Sequence, residues 1–236
     1  MPSIQSPGPG RSCPIENLPV EVVTLILCAL PDATTLRAVV LASPTFYYAA
    51  LRAKFQTLRH VVYDRIDPKV MSSAATALKS SWLPSCKVDE RGNVCEEVIS
   101  FKNEHLVNAH MSLSFAELFP EEPSLFQGLQ LGCLHTVVAD LTQQFIHRAL
   151  SECPDAAKYG ATRSEICRIQ QTFYRFEAYC NLFRGEEGDR EVMAFWRLEG
   201  FFDMFQPWEI EQLACVQDFL FRMIKPGQCV LYNYPS

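Results

Sequence analysis

Apolar residues recur along this chain at steps of three and four in separate segments, and prolines or short polar caps mark where one segment gives way to the next. That is the pattern of short amphipathic helices. After Pro19, the residues Val22, Ile26 and Leu30 return every four positions with Val23 and Leu27 beside them. A stripe this broad is more than a small unit can bury alone, so part of it needs a cover from elsewhere. Pro31-Asp32 stops this helix and caps a second, whose face is Leu36, Val39 and Val40. Ser43-Pro44 opens a third carrying Phe46, Ala49, Ala50 and Phe55. Proline suits the first helical turn, where its missing N–H would have no partner anyway.

Further along, Asp67-Pro68 opens a helix with Val70, Ala74, Ala77 and Leu78, ended by Ser80-Ser81 and Pro84. Residues 85–104 carry charge and a Gly-Asn turn without a sustained period, which predicts a surface loop with one short helix around 96–101. Between 126 and 150 the set Leu134, Val137, Val138, Leu141, Phe145 and Ala149 forms one face of a long packed helix. Thr162 followed by Glu165 fits a capping box, and the helix it opens carries a seam of Ile166, Ile169, Phe173, Phe176, Cys180 and Phe183. An acidic loop separates it from residues 192–205. Pro207-Trp208-Glu209 opens a last helix with Ile210, Leu213, Val216 (or Ala214), Leu220 and Met223 inward, until Pro226-Gly227 ends it. Every predicted element is α, and residues 61–236 read as one irregular helical domain.

Composition narrows the class. The 236 residues are 48% hydrophobic with 16 phenylalanines, which describes a globular chain with enough core to need no metal or disulfide staple. Residues 1–14 are rich in Ser, Pro and Gly and read as a flexible lead. Ten cysteines lie scattered from Cys13 to Cys229 with no framework spacing, and no secretory signal precedes them. Reduced thiols in an intracellular setting, cytoplasm or nucleus, are expected. The apolar run from Val22 to Leu30 is about half the ~20 residues a membrane span needs, so no membrane partner is expected. The formal net charge of -6 lacks the clustered Lys and Arg that a phosphate backbone requires, which argues against nucleic acid.

The segment LPVEVVTLILCALP and the two helices after it resemble an F-box. Leu18, Pro19, Glu21, Val22, Ile26, Leu30, Pro31, Leu36 and Ser43 fall where that family's pattern wants them, and Phe46 stands where many members carry tryptophan. The resemblance covers residues 15–60, roughly a fifth of the chain. It implies a three-helix F-box that docks on the Skp-type adaptor of a cullin-RING (SCF-type) ubiquitin ligase, with Leu18, Pro19, Val22, Ile26, Leu30 and Leu36 as the adaptor contact. Residues 61–236 would then be the receptor for an unknown protein substrate. The stretches RIQQTFYRFEAYCNLFRG and FFDMFQPWEIEQLACVQDFLFRMI resemble the helical region behind the F-box in many fungal proteins, which brings no activity with it. In those relatives the helical part often runs further, which implies a shortened receptor half here.

Candidate chemistry is sparse. Cys86, Cys95, His105 and His110 are plausible metal ligands in one irregular region, but zinc sites usually present a close Cys pair and these cysteines are nine positions apart. His135 and Asp140 differ by five positions, about 500° of helical rotation, so their side chains point to different sides. No nucleophile elbow, phosphate-cradling loop or dinucleotide fingerprint occurs. No catalytic residue, metal or cofactor is expected, and the expected role is tethering. Two other readings stand beside it: a helical scaffold whose first helices merely pack on themselves, and a metal-dependent hydrolase. Trp208, Phe201, Phe202 and Phe205 are candidates for a partner groove, with core the expected place for most of these rings.

Overall fold

The computed structural model describes residues 18–83, 96–106, 115–119, 123–152, 155, 158–184 and 200–224. The predicted lead at 1–14, most of the loop over 85–95, the ligand candidates Cys86, Cys95 and His110, the acidic loop before 192 and the stop at Pro226-Gly227 lie outside the described residues. Among the described residues the chain is all-α, with no strand. It forms two units: one runs to Arg65 and includes Ser124–Gly132, and the other comprises Ile66–Pro123 and Cys133 onward.

In the first unit the predicted caps operate. Helix α1 (Val20–Cys28) starts after Pro19, α2 (Ala33–Ala42) is capped by the Asp32 carboxylate, and α3 (Pro44–Arg52) is capped by the Ser43 hydroxyl. The Asp32 carboxylate accepts the Thr35 N–H at 2.7 Å, and that bond holds its pKa below the usual carboxylate range. Where three helices are expected there are four. Ala53 leaves helical geometry (φ -109°, ψ 32°), so the third helix stops at Arg52 and α4 (Lys54–Val61) turns Thr57, Leu58 and Val61 inward. Leu27, Leu36, Leu58 and Leu131 are the largest fully buried side chains of this unit. Each contributes about 2 kcal/mol by leaving water.

The unit continues past residue 60 because Val61, Val62 and Tyr63 are buried. It also takes in the start of a later helix, α8 (Leu125–Glu152), for a reason visible at two glycines. Glycine inside a helix costs about 1 kcal/mol relative to alanine, so its presence asks for a compensating contact. A Cβ on Gly128 would strike the methyl end of Leu58, and one on Gly132 would strike the Cβ of Ala33 and the side chain of Val62. Backbone approach this close is available only without a side chain. Gly132→Ala is therefore expected to destabilise by about 1–3 kcal/mol despite its better helix propensity, because the Ala33 Cβ cannot swing away. Gly128→Ala should cost less, since Leu58 has a flexible end. Urea denaturation of the two variants checks the order, and a Gly132→Ala protein more stable than wild type would refute the close contact.

The second unit is organised on α5 (Pro68–Ser80), which opens at Asp67-Pro68 as predicted and is buried at ten of its thirteen positions. A helix enclosed on nearly every side needs small residues so that neighbours can approach, and this one reads MSSAATA through its middle. Helix α9 (Arg163–Leu182) lies along it in the same direction. Arg163 pairs with Asp67 at 2.7 Å, Gln171 donates to the Lys69 carbonyl at 2.7 Å, Asn181 donates to the Ser80 hydroxyl at 3.2 Å and Arg184 to the Leu83 carbonyl at 3.1 Å. The last described helix, α10 (Pro207–Ile224), runs antiparallel to α9, with Thr172 opposite Gln212 and Arg175 opposite Glu209. The Arg175–Glu209 pair, at 2.8 Å, joins a buried guanidinium to a largely covered carboxylate, and the guanidinium also sits 5.3 Å from the Phe205 ring centroid.

Several predicted faces are rotated. On α9 the capping box of Thr162 and Glu165 is present, but of the expected seam only Phe173 is fully buried and Cys180 is exposed. The buried set is instead Cys167, Thr172, Phe173, Tyr174, Arg175, Ala178, Asn181 and Leu182, because α5 and α10 flank this helix on different sides. On α8, Val138 is buried as expected while Val137 is 55% exposed. On α10, Leu213, Val216 and Phe219 point inward, and Met223 is exposed. The predicted loop at 85–104 is packed over its described part. Helix α6 (Glu96–Phe101) and the π-helical turn Lys102–Leu106 place Val98, Phe101 and Leu106 in one cluster with Leu182, Phe201, Phe205 and Leu213. A four-residue helix, α7 (Phe115–Leu118), follows, and Lys79 donates to the Leu118 carbonyl at 2.7 Å.

Candidate functional site

Two surfaces stand out, one on each unit. On the first, the α1 stripe divides as its breadth requires. Val23 and Leu27 face the unit's own core, while Val22 and Leu25, three positions apart on α1, look outward together, and Leu18, just ahead of the helix, is exposed as well. Leu25, the most open of the three at 64%, has no place in the sequence pattern that singled out its neighbours. Helix α3 shows a second apolar stripe of Tyr47, Tyr48 and Leu51, the two rings meeting edge to face at 5.7 Å. Leu41 at the end of α2 and Phe55 on α4 are exposed as well. This unit leaves several large apolar side chains open to solvent.

The six residues assigned to adaptor contact part company here. Leu18, Pro19 and Val22 are exposed, and Ile26 and Leu30 are half-buried. Leu36 is 0% exposed and belongs to the unit's core. The reason is its place on α2, in line with the buried Ala33 and Val40.

On the second unit a groove of about 530 Å³ runs between the C-terminal half of α8, the first half of α9 and the first half of α10. Its apolar lining includes Phe145, Ile146, Leu150, Ile169 and Val216, with Trp208 at its side 61% exposed. Phe145 is held by edge contacts to Phe173 and Phe219, at centroid distances of 6.3 and 5.3 Å. Polar atoms are supplied by Glu165, Arg168, Thr172, Glu211 and Gln212. Thr162 hydrogen bonds, from hydroxyl and backbone, hold the Glu165 carboxyl below its ordinary pKa, so it is ionised at neutral pH. Of the four aromatic candidates, Phe201 and Phe205 are buried, Phe202 is half-buried, and Trp208 borders this groove. The groove itself escaped sequence reading because its walls come from segments far apart in the chain.

The candidate chemistry is dispersed. His135 Nδ1 lies 2.8 Å from the hydroxyl of Tyr174, whose complete burial pushes its pKa up, and Asp140 accepts instead from Gln144 at 2.7 Å. His105 packs edge to face on Phe101, and burial, with Lys79 nearby, pushes its pKa down. Among the described residues no group of three or more His, Cys, Asp and Glu is placed to hold a metal ion, and no helix is long and apolar enough to cross a membrane. The five described cysteines, Cys28, Cys133, Cys167, Cys180 and Cys215, are free thiols. Comparison with protein-family models, with curated proteins and with solved structures returns no match.

Proposed function

We propose that the chain is an F-box adaptor, the substrate receptor of an SCF-type cullin-RING ubiquitin ligase. It acts by tethering: the first unit docks on the Skp-type adaptor, the second holds a target, and the gain in local concentration near a ubiquitin-loaded enzyme is its whole contribution. Acid, base and nucleophile belong to other subunits. The observation that supports this most directly is the outward stripe of Leu18, Val22 and Leu25 beside Pro19, in a unit whose core is already closed by Val23, Leu27, Leu36 and Leu58. Such a stripe suits an apolar groove between helices.

The test is binding of purified chain to a purified Skp-type adaptor by calorimetry. Wild type is expected to bind at micromolar concentration or better. The Leu18→Ala/Pro19→Ala double variant is expected to bind at least about tenfold more weakly, having lost one apolar anchor and the rigid helix start that aims it. Its far-UV helicity should be unchanged. Absence of wild-type binding, or equal binding by the double variant, would give the place to a helical scaffold with no ligase role.

A further inference from the structure

We propose that the groove of the second unit receives a short basic peptide segment, with an aliphatic side chain on its floor and a lysine or arginine against Trp208 and the rim carboxylates. The proposal rests on the receptor reading above and specifies what the receptor takes. The floor of Phe145, Ile169 and Val216 offers no hydrogen-bonding side chain, so it rewards an apolar anchor, and a volume of about 530 Å³ admits a few side chains but no folded domain. The rim sets the sign of the charge. Among the described lining residues Glu165 and Glu211 stand against Arg168, and Arg168 is three residues from Glu165 on one helix face, which offsets part of its own charge. Glu211 in turn lies three residues from Trp208 on α10. A cation over that exposed indole therefore meets the ring face and a carboxylate together, each strengthening its hold. An acidic segment would face two carboxylates for one guanidinium. The net charge of -6 on the whole chain steers encounter in the same direction.

The probes are a fluorescein-labelled dodecapeptide of alternating leucine and lysine pairs, and its counterpart with glutamate for every lysine, each titrated with the full chain and read by anisotropy. The lysine peptide is expected to bind in the micromolar range and the glutamate peptide at least about tenfold more weakly. Trp208→Ala and Glu211→Lys should each weaken the lysine peptide by about tenfold. Both side chains are exposed, so thermal melts should match wild type and adaptor binding should be unaffected. Equal binding of the two peptides, or lysine-peptide binding untouched by both substitutions, would overturn the groove assignment while leaving adaptor docking in place. The expected peptide pattern without any wild-type adaptor binding would uphold the groove and remove the ligase.

Discussion

Arg175→Ala is expected to lower the unfolding free energy by about 3–5 kcal/mol, the usual consequence of removing one partner from a buried ion pair. The guanidinium is 8% exposed and its partner carboxylate, on Glu209, 14% exposed. Burial pushes the Arg175 pKa down and Glu209 pulls it back up, while the guanidinium stays charged at any ordinary pH. Without Arg175, Glu209 keeps a carboxylate in a site with little water, and it still has to accept the Gln206 N–H at 3.0 Å at the start of α10. Neither half of that conflict can be relieved cheaply. The melting temperature should fall by on the order of 10 °C. Arg175→Met combined with Glu209→Leu should recover most of the loss, because replacing both members of a buried pair with apolar groups is often nearly neutral. Urea denaturation followed by far-UV circular dichroism reads both variants, and an Arg175→Ala protein as stable as wild type would mean that the pair is solvated.

Val22→Asp should weaken adaptor binding by at least about 100-fold, some 3 kcal/mol, while leaving the melting temperature within about 2 °C of wild type. The asymmetry follows from exposure. Val22 is 40% exposed, so in the isolated chain a carboxylate there is hydrated at little cost. Once pressed into an apolar groove it would lose that water and find no partner. Leu25→Asp should behave alike, being more exposed still. Leu36→Asp makes the informative contrast: it puts a carboxylate into the unit's own core and should unfold it before any partner is offered. Undiminished adaptor binding by both Val22→Asp and Leu25→Asp would remove the α1 stripe from the docking face, and with it the strongest support for the ligase reading.

Local chemistry was legible wherever a few adjacent residues decide the outcome. Asp32, Ser43, Asp67 and Thr162 each cap the helix their spacing predicts, because a cap needs only a side-chain oxygen and the next two or three backbone N–H groups. The short helix at 96–101 was also legible, though not its burial. Of the candidate sites, the apolar edge near Leu18 and Val22 follows from a stripe broader than its unit could cover. Leu25 could not be distinguished from a core leucine by spacing alone, nor Leu36 from a surface one.

By itself, then, the order of residues determined the helix starts, the all-α character and the surplus of apolar side chains on α1, since propensity, capping and amphipathic period all act within one or two turns. Only the tertiary structure decided which way each helix faces. The α9 seam turned because a helix flanked by α5 and α10 buries more than one stripe, so Tyr174, Arg175 and Asn181 went inside while Cys180 stayed out. Gly128 and Gly132 look like weak points in a helix until Leu58, Ala33 and Val62 are seen against them. The groove beside Trp208 has walls from three helices between residues 145 and 216, and the side chains that meet there do so through long-range packing that no local period encodes.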